Sequence, residues 1–204
     1  RIALDMYPHL KEEVKKAKDP LAAGLKIAAI GNVIDFAIND STKIQKELKD
    51  ISSHEFATFD YDKFEESLKT AKTILYLADN AGETVFDRVL IEEISVGKNL
   101  YYGVRGAPII NDALEEDAKE AGIDKYANII SNGSDAPGTF LESCTKEFRD
   151  IFLNADMIIS KGQGNFESLY GEGYAVFFLF KIKCLPVARE LNGNVGDLIL
   201  KREG

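Results

Sequence analysis

Oxygen-bearing side chains follow the first two of several short apolar runs that begin at residue 73 of this 204-residue chain. Asp79 and Asn80 follow the run 73–78, and Asp112 comes several residues after the run 99–104. Carboxylate and carboxamide oxygens are the ligands that hard divalent cations such as Mg²⁺ prefer. A single Asp or Asn at such a place often only caps a helix. Acidic and amide side chains at two consecutive ends favour a shared cation site.

Two positively charged residues also lie directly after apolar runs. Arg105 directly follows the second run and could bind a phosphate or an acidic substrate group, and Lys161 follows the fourth run, where it could contact a phosphate oxygen. The glycines of residues 161–167 let the backbone approach a ligand, and Asn165 and Glu167 add polar groups to the same turn. The segment matches neither GxxxxGK[ST] nor GxGxxG, so a P-loop or dinucleotide site is not indicated.

Alternating apolar and helical patterns predict the elements that position these residues. Apolar, strand-like runs cover residues 73–78, 99–104, 128–131, 156–160, 175–180 and 197–200, and helical patterns cover 83–94, 113–121 and 138–153. This alternation predicts an α/β fold, a mostly parallel sheet in a three-layer α/β/α arrangement. Ligands bind such sheets outside the carboxyl ends of the strands, which is where the polar residues fall.

The first 70 residues read as helical throughout, with no strand candidate. Helical spacing covers residues 20–33, a segment that starts at Ser41 and reaches residue 48, and residues 60–68. We therefore predict a helical N-terminal part over 1–70 and an α/β core over 71–204. Gly31 and Asn32 interrupt an apolar helix, and such a glycine costs about 1 kcal/mol, which calls for a packing or functional reason. Because the chain begins at Arg1, we interpret it as truncated at its start.

Composition narrows the classes of function. Lys and Arg number 25 against 34 Asp and Glu, a formal charge of −9, which makes nucleic acid a poor partner. The longest apolar stretch is too short to span a bilayer, so no membrane role is predicted. Two cysteines outside any CxxC pair predict free thiols in the cytoplasm. Two histidines nearly exclude a histidine-based metal site or catalytic triad.

Three longer motifs carry a resemblance to a known family. They are residues 78–83 (ADNAGE), 104–113 (VRGAPIINDA) and 160–167 (SKGQGNFE), supported by residues 31–36 and by Lys183 and Cys184. In these motifs the chain resembles the metal-dependent damage-control phosphatases, formerly domain of unknown function 89, and in particular their short stand-alone archaeal and bacterial members. The resemblance implies a Rossmann-like α/β/α core and hydrolysis of phosphate monoesters of small metabolites, such as sugar phosphates or damaged phosphorylated metabolites.

The resemblance also implies roles for individual residues. Asp79, Asn80 and Asp112 match the metal ligands, and Lys161 matches a residue that contacts the substrate phosphate, so Asp79, Asp112 and Lys161 are the predicted catalytic residues. The further predicted substrate contacts are Arg105, Asn165, Glu83 and Glu167. All-oxygen ligands favour Mg²⁺ or Mn²⁺, and the resemblance adds Co²⁺ or Ni²⁺. The general acid, the nucleophile and the oligomeric state stay open.

Other classes of protein fit the sequence less well. A non-catalytic metabolite- or nucleotide-binding module could use the same strand ends without turnover. An S-adenosylmethionine-dependent methyltransferase would share the Rossmann-like core, but residues 79–82 stand where its glycine-rich loop would be. A haloacid-dehalogenase-type phosphatase would need Asp-x-Asp after the first strand, and Asp79 is followed by Asn80 and Ala81 instead.

Overall fold

A seven-stranded sheet forms the centre of the protein in the computed structural model, which describes residues 2–34 and 55–204. The strands are β1 (Phe56–Phe59), β2 (Thr73–Leu77), β3 (Asn99–Val104), β4 (Asn128–Ser131), β5 (Met157–Lys161), β6 (Val176–Lys181) and β7 (Leu198–Glu203). Their order is β1-β7-β6-β5-β2-β3-β4. Every neighbouring pair is parallel except β6 and β7, so β1 and β7 run against the other five strands.

Helices cover both faces of this sheet. They are α1 (Ile2–Lys16), α2 (Pro20–Ile34), α3 (Tyr61–Thr70), α4 (Thr84–Ile94), α5 (Glu115–Glu120), α6 (Lys146–Asn154), α7 (Gln163–Leu169) and α8 (Leu185–Glu190). Buried side chains of α1 to α5 pack on one face, and those of α6 to α8 pack on the other. The predicted three-layer α/β/α fold with a mostly parallel sheet is therefore confirmed.

The strands are apolar on both sides because both faces are covered. In β6, Phe177 and Leu179 face the layer of α1 to α5, whereas Val176, Phe178 and Phe180 face the layer of α6 to α8. This alternation with period two explains why the central strands read as continuous apolar runs in the sequence. The six predicted strands are found with ends shifted by three residues at most.

The expectation that no strand precedes residue 73 is wrong. Strand β1 pairs in parallel with β7 at the edge of the sheet, and its residues alternate between partly buried and exposed. Strand β1 has only four residues and pairs with β7, far along the sequence, so no local pattern predicts it. The predicted division at residue 70 stays a prediction, and the N-terminal part contributes this strand to the common sheet.

Two helix predictions also need correction. The pattern over 138–153 predicts one helix, but α6 begins only after Thr145, whose hydroxyl accepts a hydrogen bond from the N–H of Phe148. Gly138 has a φ of 102°, which a helix cannot contain. The helix predicted over 113–121 begins at Glu115, so Asp112 does not cap it. The predicted helix over residues 41–48 lies outside the described residues.

Helix α2 packs closely on α4, which supplies the packing reason for Gly31. A Cβ at this position would lie 2.8 Å from the Cβ of Phe86, so a larger residue would push the two helices apart. The rest of the motif 31–36 lies outside the described side chains. Within residues 2–34 and 55–204, none of the helices has both the length and the apolar composition needed to cross a bilayer.

Candidate active site

The loops after β2 and β3 are joined at the carboxyl end of the sheet. The N–H of Ala78 donates to the carbonyl of Gly103 at 2.9 Å, which extends the pairing of the two strands by one residue. Asn80 and Asp112 then form an isolated antiparallel bridge, in which the N–H of Ala113 donates to the carbonyl of Asp79 at 2.8 Å. The backbone therefore brings the three predicted metal ligands Asp79, Asn80 and Asp112 to one place.

Asp79 lies in a crowded environment. Its residue is 8% exposed, and a Cβ added at Gly162 would overlap its carboxylate, so the glycine gives the carboxylate its room. Burial raises the pKa of Asp79 to about 6, the positive charge of Lys183 opposes this rise, and the negative charge of Asp112 adds to it. The two carboxylates thus repel each other across the site.

Asp112 is paired with a buried cation. The Nε of Arg105 donates to its Oδ2 at 2.6 Å, and Arg105 is 5% exposed. The guanidinium also donates to the hydroxyl of Thr139 at 3.3 Å and to Oδ1 of Asn165 at 3.0 Å. The substrate contact predicted for Arg105 stays a prediction, because these bonds place the guanidinium in the frame that holds Asp112.

Asn165 belongs to the same frame. Its Nδ2 donates to the carbonyl oxygens of Ala78 and Lys161 at 2.9 and 2.8 Å, and its Oδ1 accepts from Arg105 and from Thr139. These four bonds fill the hydrogen-bonding capacity of a carboxamide. Asn165 therefore ties the ends of β2 and β5 together, and the substrate contact predicted for it remains a prediction.

Lys161 and Glu83 form a fully buried ion pair behind the predicted ligands. The Nζ of Lys161 lies 2.9 Å from Oε2 of Glu83 and 2.6 Å from Oδ1 of Asp87. Burial works to lower the pKa of Lys161, but Asp87 and Glu83 outweigh it and raise that pKa. Burial raises the pKa of Glu83, against the attraction of Lys161. The phosphate contact predicted for Lys161 stays a prediction, since its ammonium faces two carboxylates here.

Sequence reasoning missed three residues of this cluster. Asp87 accepts hydrogen bonds from the hydroxyls of Tyr76 and Tyr102 at 2.8 and 2.7 Å, and all three residues are fully buried. In the sequence the tyrosines belong to apolar runs that predict strands, and Asp87 belongs to a pattern that predicts a helix, so none of the three stands out as a site residue. A signal was available, because Asp87 follows Glu83 by four residues and so shares its helix face.

Two polar residues lie nearer the surface. Glu167 is exposed and accepts a hydrogen bond from Nε2 of Gln163 at 2.7 Å, so the structure does not bring it among the predicted ligands. Its predicted substrate contact stays a prediction. Lys183, whose N–H donates to Oε1 of Gln163 at 2.9 Å, is exposed. Among the charges that lower the pKa of Asp79, that of Lys183 has the largest effect, which places a surface cation near the site.

The donor set fits a hard divalent cation. Among the described residues, no three His, Cys, Asp or Glu side chains are grouped to hold a metal ion, so the site depends on the carboxamide of Asn80. Asp79, Asp112 and Asn80 supply two carboxylates and one amide oxygen. Two buried carboxylates that repel each other, together with an amide oxygen, are donors of the kind that a hard dication binds.

Fold and site together define an α/β protein of the Rossmann-like class with oxygen-bearing side chains gathered at the carboxyl ends of its strands. A family model of the damage-control phosphatase ARMT1-like domain matches residues 1–199. The chain belongs to this family, which confirms the resemblance read from the motifs and, at the level of the family, the predicted enzyme class. Membership implies dependence on a divalent metal ion.

Relatives from three archaea support the assignment. The chain is 45% identical to an uncharacterised protein of Methanocaldococcus jannaschii over 84% of this chain and 60% of that protein. It is 41% identical to a damage-control phosphatase of Pyrococcus horikoshii (92% of this chain, 67% of that protein) and 35% identical to one of Archaeoglobus fulgidus (98% and 71%). The chain thus spans between 60% and 71% of the lengths of these relatives.

A solved structure resembles the fold closely. The crystal structure of a DUF89 family protein from Pyrococcus horikoshii superimposes with a TM-score of 0.88 and 38% sequence identity. The match covers 98% of this chain and 72% of that chain. The arrangement of sheet and helices described above is therefore that of the family.

Proposed function

We propose that this protein is a metal-dependent phosphatase that hydrolyses phosphate monoesters of small metabolites, such as sugar phosphates or damaged phosphorylated metabolites. The observation that carries the proposal is the backbone bridge between Asn80 and Asp112, which gathers Asp79, Asn80 and Asp112 at the carboxyl ends of β2 and β3. Family membership and two relatives named damage-control phosphatases support the reaction class.

Charge explains why a cation is needed. A phosphate monoester carries about two negative charges at neutral pH, and the chain has a formal charge of −9. Asp79, Asn80 and Asp112 would hold the metal ion, which when bound supplies a Lewis acid that polarises a phosphoryl oxygen. Their oxygen ligands favour Mg²⁺ or Mn²⁺, with Co²⁺ or Ni²⁺ as further candidates.

The residues around the predicted ligands contribute positioning and electrostatic attraction. Arg105 and Asn165 hold Asp112 and the strand ends in place through the bonds described above. Lys183 is exposed and acts electrostatically on Asp79, so we expect its charge to favour the approach of a phosphate dianion to the site. A mechanism of this kind relies on positioning and electrostatics, as phosphoryl transfer generally does.

Hydrolysis of p-nitrophenyl phosphate tests the proposal. After removal of bound metal with a chelator, activity should be absent and should return with added Mn²⁺, Mg²⁺, Co²⁺ or Ni²⁺. Asp79→Ala and Asp112→Ala should each lose activity by about a thousandfold or more, since the metal contributes several kcal/mol to the transition state. Asp156→Ala is the matched control, because Asp156 binds backbone N–H groups at the opposite end of β2.

Two results would overturn the proposal. One is full activity in excess chelator, and the other is unchanged turnover in both active-site variants. Ligand-dependent thermal stabilisation without turnover on any sugar phosphate or nucleotide would instead identify a binding module. A screen of these esters with each metal ion in turn would also narrow the natural substrate.

A further inference from the structure

A continuous set of hydrogen bonds leads from the interior of the protein to Asn80. It starts at Asp87 in helix α4, which accepts from the hydroxyls of Tyr76 and Tyr102 at 2.8 and 2.7 Å. The same carboxylate accepts from Nζ of Lys161 at 2.6 Å. Asp87 thus joins α4 to β2, β3 and β5, the three strands whose ends surround the predicted metal ligands.

The set continues from Lys161 to the carboxamide of Asn80. Nζ of Lys161 donates to Oε2 of Glu83 at 2.9 Å, and Oε1 of Glu83 accepts from Nδ2 of Asn80 at 2.7 Å. Nδ2 of Asn80 also donates to Oδ2 of Asp79 at 3.1 Å. Two carboxylate oxygens therefore fix the nitrogen of the carboxamide, and its oxygen points to the opposite side of the amide group.

Burial makes this set rigid. Asp87, Glu83, Lys161 and both tyrosines are fully buried, and the two tyrosine rings are stacked with their centroids 5.5 Å apart. A buried ionic cluster is destabilised when a partner is missing, so each member holds its neighbours in a single arrangement. Such outer partners orient metal ligands, and their loss typically lowers metal affinity or activity by about 10–100-fold.

We propose that Asp87, supported by Tyr76 and Tyr102, is a positioning residue that orients the carboxamide of Asn80 toward a divalent cation through Lys161 and Glu83. The inference rests on the proposed function, in which Asn80 is a metal ligand. It also gives the buried ammonium of Lys161 a role in orienting that ligand. Asp87 acts through other residues and does not touch the substrate.

Mn²⁺ binding, measured by the electron paramagnetic resonance signal of free Mn²⁺, tests this role without relying on catalysis. Asp87→Asn should weaken Mn²⁺ binding by about 10–100-fold. The double variant Tyr76→Phe and Tyr102→Phe keeps the Asp87 carboxylate and should weaken binding several-fold. It serves as the second test if Asp87→Asn fails to fold.

Tyr7→Phe is the matched control. The hydroxyl of Tyr7 donates to Oε1 of Glu92 at 2.6 Å, so this variant also removes a tyrosine hydroxyl from a carboxylate of helix α4. Glu92 lies in the last turn of that helix, away from Asn80. Tyr7→Phe should lower the free energy of unfolding and leave the dissociation constant for Mn²⁺ unchanged within twofold.

The outcomes separate the two proposals. Unchanged Mn²⁺ affinity in the double tyrosine variant, with normal binding by the unaltered protein, would overturn the positioning role and leave the phosphatase proposal intact. An equal loss of affinity in Tyr7→Phe would also overturn it, because the effect would then follow stability alone. Failure of the unaltered protein to bind Mn²⁺ or any other divalent ion would overturn both proposals.

Discussion

Helix α4 carries a carboxylate cluster at each end, and the two clusters balance their charge differently. Near its last turn, Glu92 accepts from Tyr7, from Arg88 at 2.8 Å and from Lys11 at 2.7 Å. Near its first turn, the single cation Lys161 bridges Asp87 and Glu83. The Glu92 cluster has abundant positive charge and is partly exposed, whereas the Asp87 cluster is fully buried.

The pKa values follow this difference. Burial alone would raise the pKa of Glu92, but hydrogen bonds from Lys11, Tyr7 and Arg88 outweigh it and lower that pKa. At the other end, burial raises the pKa of Glu83 to about 8, and the attraction of Lys161 offsets this rise only in part. The Glu92 cluster therefore stabilises the docking of α1 on α4, whereas the Asp87 cluster holds two carboxylates with a single buried cation.

The largest expected difference comes from two lysines that each bridge two carboxylates. Lys161→Met leaves Glu83 and Asp87 unpaired in the interior and should lower the free energy of unfolding by about 3–5 kcal/mol. Lys11→Met removes a cation that is 22% exposed and bridges Glu92 and Glu93, and should lower it by about 1 kcal/mol or less. Urea unfolding of the metal-free proteins at pH 7 measures both values, and equal losses would contradict the contrast.

A pair of glycines tests the crowding around Asp79. Gly162 and Gly171 have φ values of 79° and 85°, which disfavour any other residue. Gly171→Ala has nothing within 4 Å of the new Cβ, so it should lose only about 1–2 kcal/mol for the left-handed backbone. Gly162 has a ψ of 161°, which with its positive φ is a conformation that essentially only glycine adopts, and Gly162→Ala adds an overlap with the Asp79 carboxylate, so it should lose about 2–4 kcal/mol.

Metal binding separates the two glycine variants further. Because the new methyl group displaces Asp79, Gly162→Ala should also weaken Mn²⁺ binding, whereas Gly171→Ala should bind it normally. Calorimetric titration with Mn²⁺ measures this difference. Equal affinities in the two variants would show that Asp79 can shift without loss of the site.

Removing the charge of Asp79 should stabilise the metal-free protein. The folded-state pKa of about 6 lies above the ordinary value, so the folded state binds a proton more tightly than the unfolded chain does. The contribution of Asp79 to stability therefore rises as the pH falls from 7 through 6 toward 4. Asp79→Asn should gain about 3 kcal/mol at pH 7, and the gain should vanish near pH 4.

Asp79→Asn should also abolish metal binding. Its gain in the free energy of unfolding is measured in chelator at several pH values. In the unaltered protein, Mn²⁺ affinity should fall by about tenfold per pH unit below pH 6, because the ligand must lose its proton. A loss of stability in Asp79→Asn at pH 7 would show that the carboxylate holds the fold together.

Glu92→Gln should have a smaller effect than Asp79→Asn, with the opposite sign. Because the pKa of Glu92 is lowered in the folded state, its contribution is present above the ordinary pKa and is lost as the pH falls through the folded-state value. Glu92→Gln should therefore lose about 1–2 kcal/mol at pH 7. In chelator, a difference from the unaltered protein that does not shrink as the pH falls below the ordinary pKa of a glutamate would contradict this account.

Local patterns were sufficient to predict the central sheet and the place of the predicted metal ligands. The strands β2 to β6 are apolar on both sides, and this run is visible in the sequence because helices cover both faces. Asp79, Asn80 and Asp112 could be expected near one another because strand ends of a parallel sheet meet at one edge, and their role as metal ligands stays a prediction. Their gathering depends on the bridge of Asn80 and Asp112, which the sequence does not reveal.

Long-range partners account for what the sequence could not supply. The hydrogen bonds that Arg105 and Asn165 make with each other and with the ends of neighbouring elements are not visible in the sequence, and the substrate contacts predicted for both stay predictions. Tyr76, Tyr102 and Asp87 looked like core and helix residues because their common cluster forms only after three strands and α4 have assembled. Strand β1 was not predicted for the same reason, because its backbone pairs with β7, far along the sequence.

The pairing of β1 with β7 affects the order in which the sheet forms. Close to this edge, the Asp60 carboxylate accepts from the N–H of Arg202, a partner 142 residues further along the chain. Contacts between residues so far apart in the sequence form late in folding, because closing the long loop between them costs conformational entropy before the contact can stabilise the fold. During synthesis, Phe56–Phe59 emerges from the ribosome long before its partner β7, so the sheet acquires this edge strand only after Leu198–Glu203 has been made.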